Sequence, residues 1–244
     1  MKTKALFLLV LLAGLLAACG SGGGAPAPTT VPQELGESGE APLSSGETVT
    51  LGAGADETHT FVVIVAESEA RYVVNEEFFA DALAKYGIQA GRVVVTGLTP
   101  GVSGELQFNF AQTDLLEAAS FTINMAGLRT DRNLRDEWLQ DNAIQTNRFP
   151  EARFVATSVS GLPASYTEGQ EISFQLHGDL TIRDMTNPVT FEVTAVLSGD
   201  TIRGTAVRQM QMTDFGIDPP HFANTLTVAN DFRIEISLVA RKQQ

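Results

Sequence analysis

Five arginines fall between Arg129 and Arg153, and a guanidinium fork matches a phosphate or pyrophosphate in bidentate geometry. Converging, they would clamp an anionic head group. The same span holds Asp131, Asp136, Glu137, Asp141 and Glu151, so its net charge is zero. Asp131 also precedes Arg135 by four residues, the favourable order for an ion pair on a helix surface. A structural ion-pair network therefore competes with the clamp, and the charge balance favours the network. The three histidines, His59, His177 and His221, have no metal-ligand spacing. Serines are plentiful, but no glycine-flanked nucleophile motif supports a Ser-His-Asp set. The polar residues thus assign no catalytic residue, no metal site and no cofactor.

One thiol is present in the chain, Cys19, directly after Leu16-Ala17-Ala18. Ahead of it stand Lys2, Lys4 and an apolar run from Ala5, shorter than the ~20 residues of a membrane span. A positive start, a short apolar stretch and small residues before a cut site mark an export signal, and Leu-Ala-Ala-Cys resembles the bacterial lipobox, whose cysteine is acylated. Cys19 is the expected lipidation site. Its acylation would leave no thiol for a disulfide, a thiolate metal site or a nucleophile. The sequence has 16 basic and 29 acidic residues, and loss of Lys2 and Lys4 leaves 14 against 29, about −15. Such a surface repels nucleic acid and anionic head groups, so membrane attachment would rest on the acyl chains at Cys19. From Gly20 to about Asp56 the chain is Gly, Pro, Ser, Thr and Ala with scattered Glu and no aromatic residue, a composition that cannot build a core. The expected organisation is a signal peptide over 1–18, a lipidated Cys19 and flexible linker over 19–56, and one folded domain over 57–242, exported and held at the cell envelope.

Within that domain, apolar and polar residues alternate with the period of a half-buried strand. Phe174, Leu176, Leu180 and Ile182 share one face, Val189, Phe191, Val193, Ala195 and Leu197 another, Leu106, Phe108 and Phe110 a third, and Phe232, Ile234, Ile236 and Leu238 a fourth. Pro100-Gly101 and Gly199-Asp200 have turn chemistry between strand-like runs and predict hairpins. Two stretches predict helices lying over or plugging the sheet. Asn75 to Tyr86 opens with a cap-type residue and two glutamates and stops at Gly87; Leu134 to about Ala143 places Leu134, Trp138 and Leu139 on one face. Seven or eight strands with short turns predict an antiparallel barrel or sandwich.

Three spaced signatures then become specific: Arg135-Asp136 with Leu139, Phe149-Pro150 and Phe154; Gly178, Leu180-Thr181-Ile182, Thr186 and Pro188-Val189; and Asp214-Phe215-Gly216. In this order and spacing they resemble the YceI-like family of lipid- and polyisoprenoid-binding proteins, over about Ser68 to Ala240. The resemblance implies an all-β fold with one or two short helices, an extended eight-stranded antiparallel lipocalin-like barrel whose apolar channel holds a long isoprenoid tail. The chain departs from the family pattern in a longer loop between Arg135 and Phe149, and in Arg183-Asp184-Met185 where a glycine is common.

Strand alternation expects the channel to be lined by Leu106, Phe108, Phe110, Phe121, Ile123, Met125, Phe174, Leu176, Phe191 and Val193. Arg135, Asp136, Pro150, Gly178, Thr181, Asp214 and Gly216 are expected to be structural. Asp214 suits a turn that binds local amides, with Gly216 free to take positive φ. The leading expectation is a non-enzymatic carrier of a polyprenyl or quinone-type lipid at the membrane surface. The alternative is a fully packed barrel acting through its surface in the envelope, with a hydrolase third.

Overall fold

The computed structural model describes residues 48–50, 57–79, 90–112 and 115–244. Cys19, the expected export signal and most of the expected linker lie outside them. The strands are β1 (Thr48–Thr50), β2 (Thr58–Val63), β3 (Glu69–Phe78), β4 (Gly91–Thr99), β5 (Val102–Asn109), β6 (Leu116–Asn124), β7 (Glu151–Ser160), β8 (Ser165–Thr167), β9 (Glu171–Ile182), β10 (Met185–Ser198), β11 (Thr201–Gln211), β12 (His221–Phe222) and β13 (Leu226–Lys242). Helix α1 (Asn133–Trp138) continues into a π-helical turn, Leu139–Ala143.

Eight strands close a ring in the order β2-β5-β6-β7-β9-β10-β11-β13, because β13 pairs with both β11 and β2. This is the expected all-β antiparallel barrel, and closure removes the free sheet edges that an open meander would expose. β1 pairs with β8 in a separate two-stranded sheet, so a short strand sits inside the segment expected to be linker.

The register gives the barrel two unlike ends. At one end lie the β5–β6 and β10–β11 connections and β8; at the other lie Asn124 beside Glu151, the Ile182–Met185 turn and Gln211 beside Asp231. Helix α1 and its π turn cover the second end, where Ala143 joins the core and Trp138, Leu139 and Ile144 pack on it. Phe215, 1% exposed, is part of the same core. The expected helix around Leu134 to Ala143 thus exists as a plug. Leu134 itself is exposed, not on the buried face.

Two local expectations are corrected. Pro100-Gly101 is not a hairpin: β4 pairs with β3, and β5 pairs with β2 and β6. β2 and β3 run the same way along β13, so their partners β5 and β4 also share a direction. Pro100, without an N–H, interrupts one long strand position without reversing it. Gly101 is needed there because a Cβ would stand 2.5 Å from the Asn124 Cβ.

The second correction concerns Asn75 to Tyr86. Asn75–Phe78 is the end of β3, laddered to β4 and, in part, to β13, while residues 80–89 lie outside the described residues. The β-branched Val73 and Val74 that precede it suit a strand, and a buried partner holds Glu76 in the sheet, as shown below. β3, β4 and the first half of β13 carry the sheet past the plugged end over a second small core, Val74, Val95 and Val228.

Candidate functional site: an apolar cavity above a polar-braced floor

Inward positions of β5, β6, β9, β10, β11 and β13 surround a cavity of ≈ 150 Å³. Leu106, Phe108, Phe110, Phe121, Phe174, Leu176, Phe191 and Val193 line it, eight of the ten residues that strand alternation put inside. Ile123 and Met125 are not part of the lining: Ile123 is 5% exposed in the main core and Met125 packs against that core. Both lie toward the plugged end, where β6 meets Glu151 and Ala152.

The rest of the lining is also almost entirely carbon, including Leu115, Leu162, Pro163, Ile172, Ile236 and Leu238. Tyr166 brings a hydroxyl, but it is engaged away from the cavity. It donates to the Leu197 carbonyl and accepts from the amides of Leu197 at 3.1 Å and Gly169 at 3.0 Å. With its hydroxyl saturated by backbone, the ring can serve as a hydrocarbon wall. Tyr166 was missed from sequence because its three-residue strand β8 is too short to show a period.

Phe154 stacks on Phe121 at 6.4 Å and meets Phe191 edge-on at 5.1 Å, forming an aromatic layer toward the cavity floor. Gly178 lets that layer form, since a Cβ there would stand 2.4 Å from the Val155 carbonyl oxygen and 2.5 Å from the Phe154 ring.

Below the layer, the motif residues brace the plug. Asp214 accepts from the Gln211 amide at 3.1 Å in a reciprocal capping box, and Gly216 ends that turn with φ 61°. Pro150 offers its carbonyl to the Met125 amide at 2.7 Å, and Thr181 bonds Thr186 at 2.8 Å across the turn. Arg183 sits at φ 59°, and it donates to the Gly216 carbonyl at 3.1 Å.

Asp136 is buried and accepts from the Thr130 amide at 2.8 Å and hydroxyl at 2.7 Å, tying the helix to the chain before it. Arg135 forks onto both carboxylate oxygens of Glu76 at 3.0 Å and also pairs with Asp131. Burial alone would lower the Arg135 pKa, but the hydrogen bond and charge of Glu76, and then of Asp131, more than offset it and raise it. Tyr72, close by, has its hydroxyl pKa raised, first by burial and then by Glu76, Asp136 and Asp131, against the pull of Arg135.

The arginines therefore do not converge on one point. Arg129 bonds the carbonyls of Ala126 and Leu128, Arg132 lies 3.7 Å from Asp131, Arg153 pairs with Glu151 at 3.1 Å, and Arg148 stands over the Phe149 ring. None lines the cavity. Of the two readings of this span, the geometry shows the ion-pair network. Sequence could not reveal its centre, because Glu76 lies 59 residues from Arg135.

His177, half-buried, bonds Ser160 at 2.7 Å and Thr190 at 2.9 Å. Among the described residues its side-chain partners are these two hydroxyls. Among the described residues, no group of three or more His, Cys, Asp or Glu could hold a metal ion, and no helix is long and apolar enough to cross a membrane.

A closed antiparallel barrel, plugged at one end and carbon-lined within, belongs architecturally with the lipocalin-like barrels. The chain belongs to the YceI-like domain family, whose pattern it matches over residues 56–240. It is 32% identical over 85 residues to Protein YceI of Shigella flexneri, and equally to that of Escherichia coli O6:H1; the match covers 34% of this chain and 40% of each relative's length. Among solved structures it is similar to Burkholderia cenocepacia BcnA, with TM-score 0.55 and 19% identity over 72% of this chain and 98% of that one. It is also similar to a polyisoprenoid binding domain from Saccharophagus degradans implicated in plant cell wall breakdown, with TM-score 0.55 and 12% identity over 75% of this chain and 98% of that one. At those identities the likeness is one of fold.

Proposed function

We propose that this chain is a non-enzymatic lipid carrier, an exported lipoprotein anchored through Cys19, whose barrel holds the tail of a long-chain isoprenoid or similar lipid at the membrane surface. The observation that carries the reading is the cavity: Leu106, Phe108, Phe110, Phe174 and Leu176 present carbon to it, and its one side-chain hydroxyl besides Thr205, that of Tyr166, is bound by backbone. Membership of the YceI-like family and fold likeness to a polyisoprenoid binding domain support the same ligand class.

Phenylalanine and leucine walls suit a polyprenyl chain, since neither partner brings a group that must be solvated. Each buried isoprene unit contributes about 3 to 4 kcal/mol gross at ~0.8 per carbon, before ordering costs. A cavity of ≈ 150 Å³ is on the scale that seats a benzene-sized molecule, so it fits the terminal part of a tail. Longer tails would run toward the end distant from the plug, with side chains giving way.

Mass spectrometry of organic extracts from membrane-derived protein tests the reading. A polyprenyl or quinone-type lipid recovered in near-stoichiometric amount is the expected result. Recovery of no lipid, together with no binding of added polyprenols, would replace it with the packed-barrel alternative.

A further inference from the structure

At the end of the barrel away from the plug, β2 brings one polar side chain to the inner face. Residues directly opposite each other in a ladder share a face, and His59 stands opposite Phe108, as Phe61 stands opposite the buried Leu106. The His59 ring lies 5.4 Å from the Phe110 ring, and Phe108 and Phe110 both line the cavity. Its Nδ1 is buried and has no hydrogen-bond partner among the described residues.

A buried imidazole nitrogen without a partner is costly to keep, because the group has lost water and gained nothing in return. Beside Phe108 and Phe110, at the margin of the cavity and outside its lining, its natural complement is an oxygen carried by the ligand. The charges around it argue for an uncharged oxygen. Thr58, the preceding residue, donates to the Glu117 carboxylate at 2.7 Å, and Asn109 donates to the same carboxylate at 3.2 Å. Lys242 is set opposite Phe61 in the β13–β2 register, and its neighbour Arg241 is already paired with Glu67. A phosphorylated head at this rim would therefore meet Lys242 beside the Glu117 carboxylate, a poor match for a pyrophosphate, which calls for several donors.

We propose that His59 is the head-group contact of this barrel, its Nδ1 hydrogen-bonding an uncharged oxygen, a hydroxyl or carbonyl, on a lipid whose tail lies in the cavity. The assignment rests on the lipid-carrier reading and makes it more specific: one end of the ligand is set by carbon burial and the other by one hydrogen bond.

The test compares three probes, geranylgeraniol, squalene and geranylgeranyl pyrophosphate, on the parent protein, His59→Phe and His59→Asn. Phenylalanine keeps the ring against Phe110 and removes the nitrogen; asparagine keeps a hydrogen-bonding atom near Nδ1. His59→Phe should weaken geranylgeraniol by about fivefold to tenfold, the size of one net hydrogen bond, leave squalene unchanged and leave the melting temperature equal or higher. His59→Asn should recover part of the alcohol affinity. Equal loss for squalene and the alcohol, or no loss for either, would overturn the head-group role while leaving the lipid-carrier reading standing. Tighter parent binding of the pyrophosphate than of the alcohol would overturn the uncharged head. Failure of the parent to bind all three would remove the carrier reading itself.

Discussion

Arg135 shows how one side chain can be indispensable without touching the cavity. Its side chain is 14% exposed and that of Glu76 8%, so this is a desolvated, bidentate pair. Removing one partner strands the other charge in a poor solvent, which typically costs about 3 to 5 kcal/mol. Arg135→Met should therefore lower stability on that scale in urea unfolding, and the double variant Arg135→Met/Glu76→Leu should recover much of the loss. Tail-analogue affinity of the folded fraction should stay within about twofold. A large affinity loss with unchanged melting would instead return the arginine to a ligand role. Tyr72 supplies a pH signature of the same neighbourhood. Its pKa is raised in the fold by burial, so the stability it contributes is fully present below the unfolded value of about 10 and is lost as pH rises through the higher folded value. Unfolding free energy should fall above pH ~10 with a slope of at most about 1.4 kcal/mol per pH unit from this group. Tyr72→Phe should flatten that part of the profile.

Secondary structure was legible where a single period ran long enough. The alternation through β9 and β10 identifies their inner faces from Phe174 to Val193, and Gly199-Asp200 marks a true hairpin with φ 53° at Gly199. It failed where local chemistry is ambiguous. Pro100-Gly101 carries the residues of a turn, yet here they kink a strand whose two halves find different partners, a choice made by long-range pairing. Asn75-Glu76-Glu77 carries the residues of a helix start, yet Glu76 is held in a strand by an arginine on α1. Tertiary contacts outweighed local propensity at both places. The turn at Arg183 and Asp184 sets backbone strain against a side-chain bond. Arg183 bears the cost of a left-handed backbone, about 1 to 2 kcal/mol for a residue with a Cβ, and offsets part of it through its bond to the Gly216 carbonyl. Arg183→Ala keeps the strain and loses the bond, so it should melt lower than Arg183→Gly, which loses both. The reverse order in calorimetry would mean that the left-handed backbone at this turn costs nothing. Gly178→Ala should be worse than either, because the new methyl meets the Val155 carbonyl oxygen and the Phe154 ring. Overpacking of that kind costs about 1 to 3 kcal/mol.

At the scale of the whole molecule the barrel divides its work between its ends, polar bracing at the plug and apolar space away from it. If Cys19 carries the acyl anchor, Cys19→Ser should release folded domain from carbonate-washed membranes without changing its melting temperature; retention in the pellet would mean that something else attaches it. The division of labour can be read from two phenylalanines of the inner wall, Phe191 on β10 and Phe108 on β5. Phe191 is 2% exposed and meets Phe154 edge-on at the cavity floor, so Phe191→Trp must displace that ring and should cost about 1 to 3 kcal/mol. Phe108 is only partly buried and borders the cavity nearer its far end. There, Phe108→Trp grows into open space, with little loss of stability, and shortens the path available to a tail. Long polyprenols should then lose more affinity than short ones, because the units displaced are those that contribute burial beyond the first. Melting temperatures and a chain-length series on both variants decide it: equal destabilisation by the two substitutions, with chain-length preference unchanged, would mean that the space beside Phe108 is not where the tail runs.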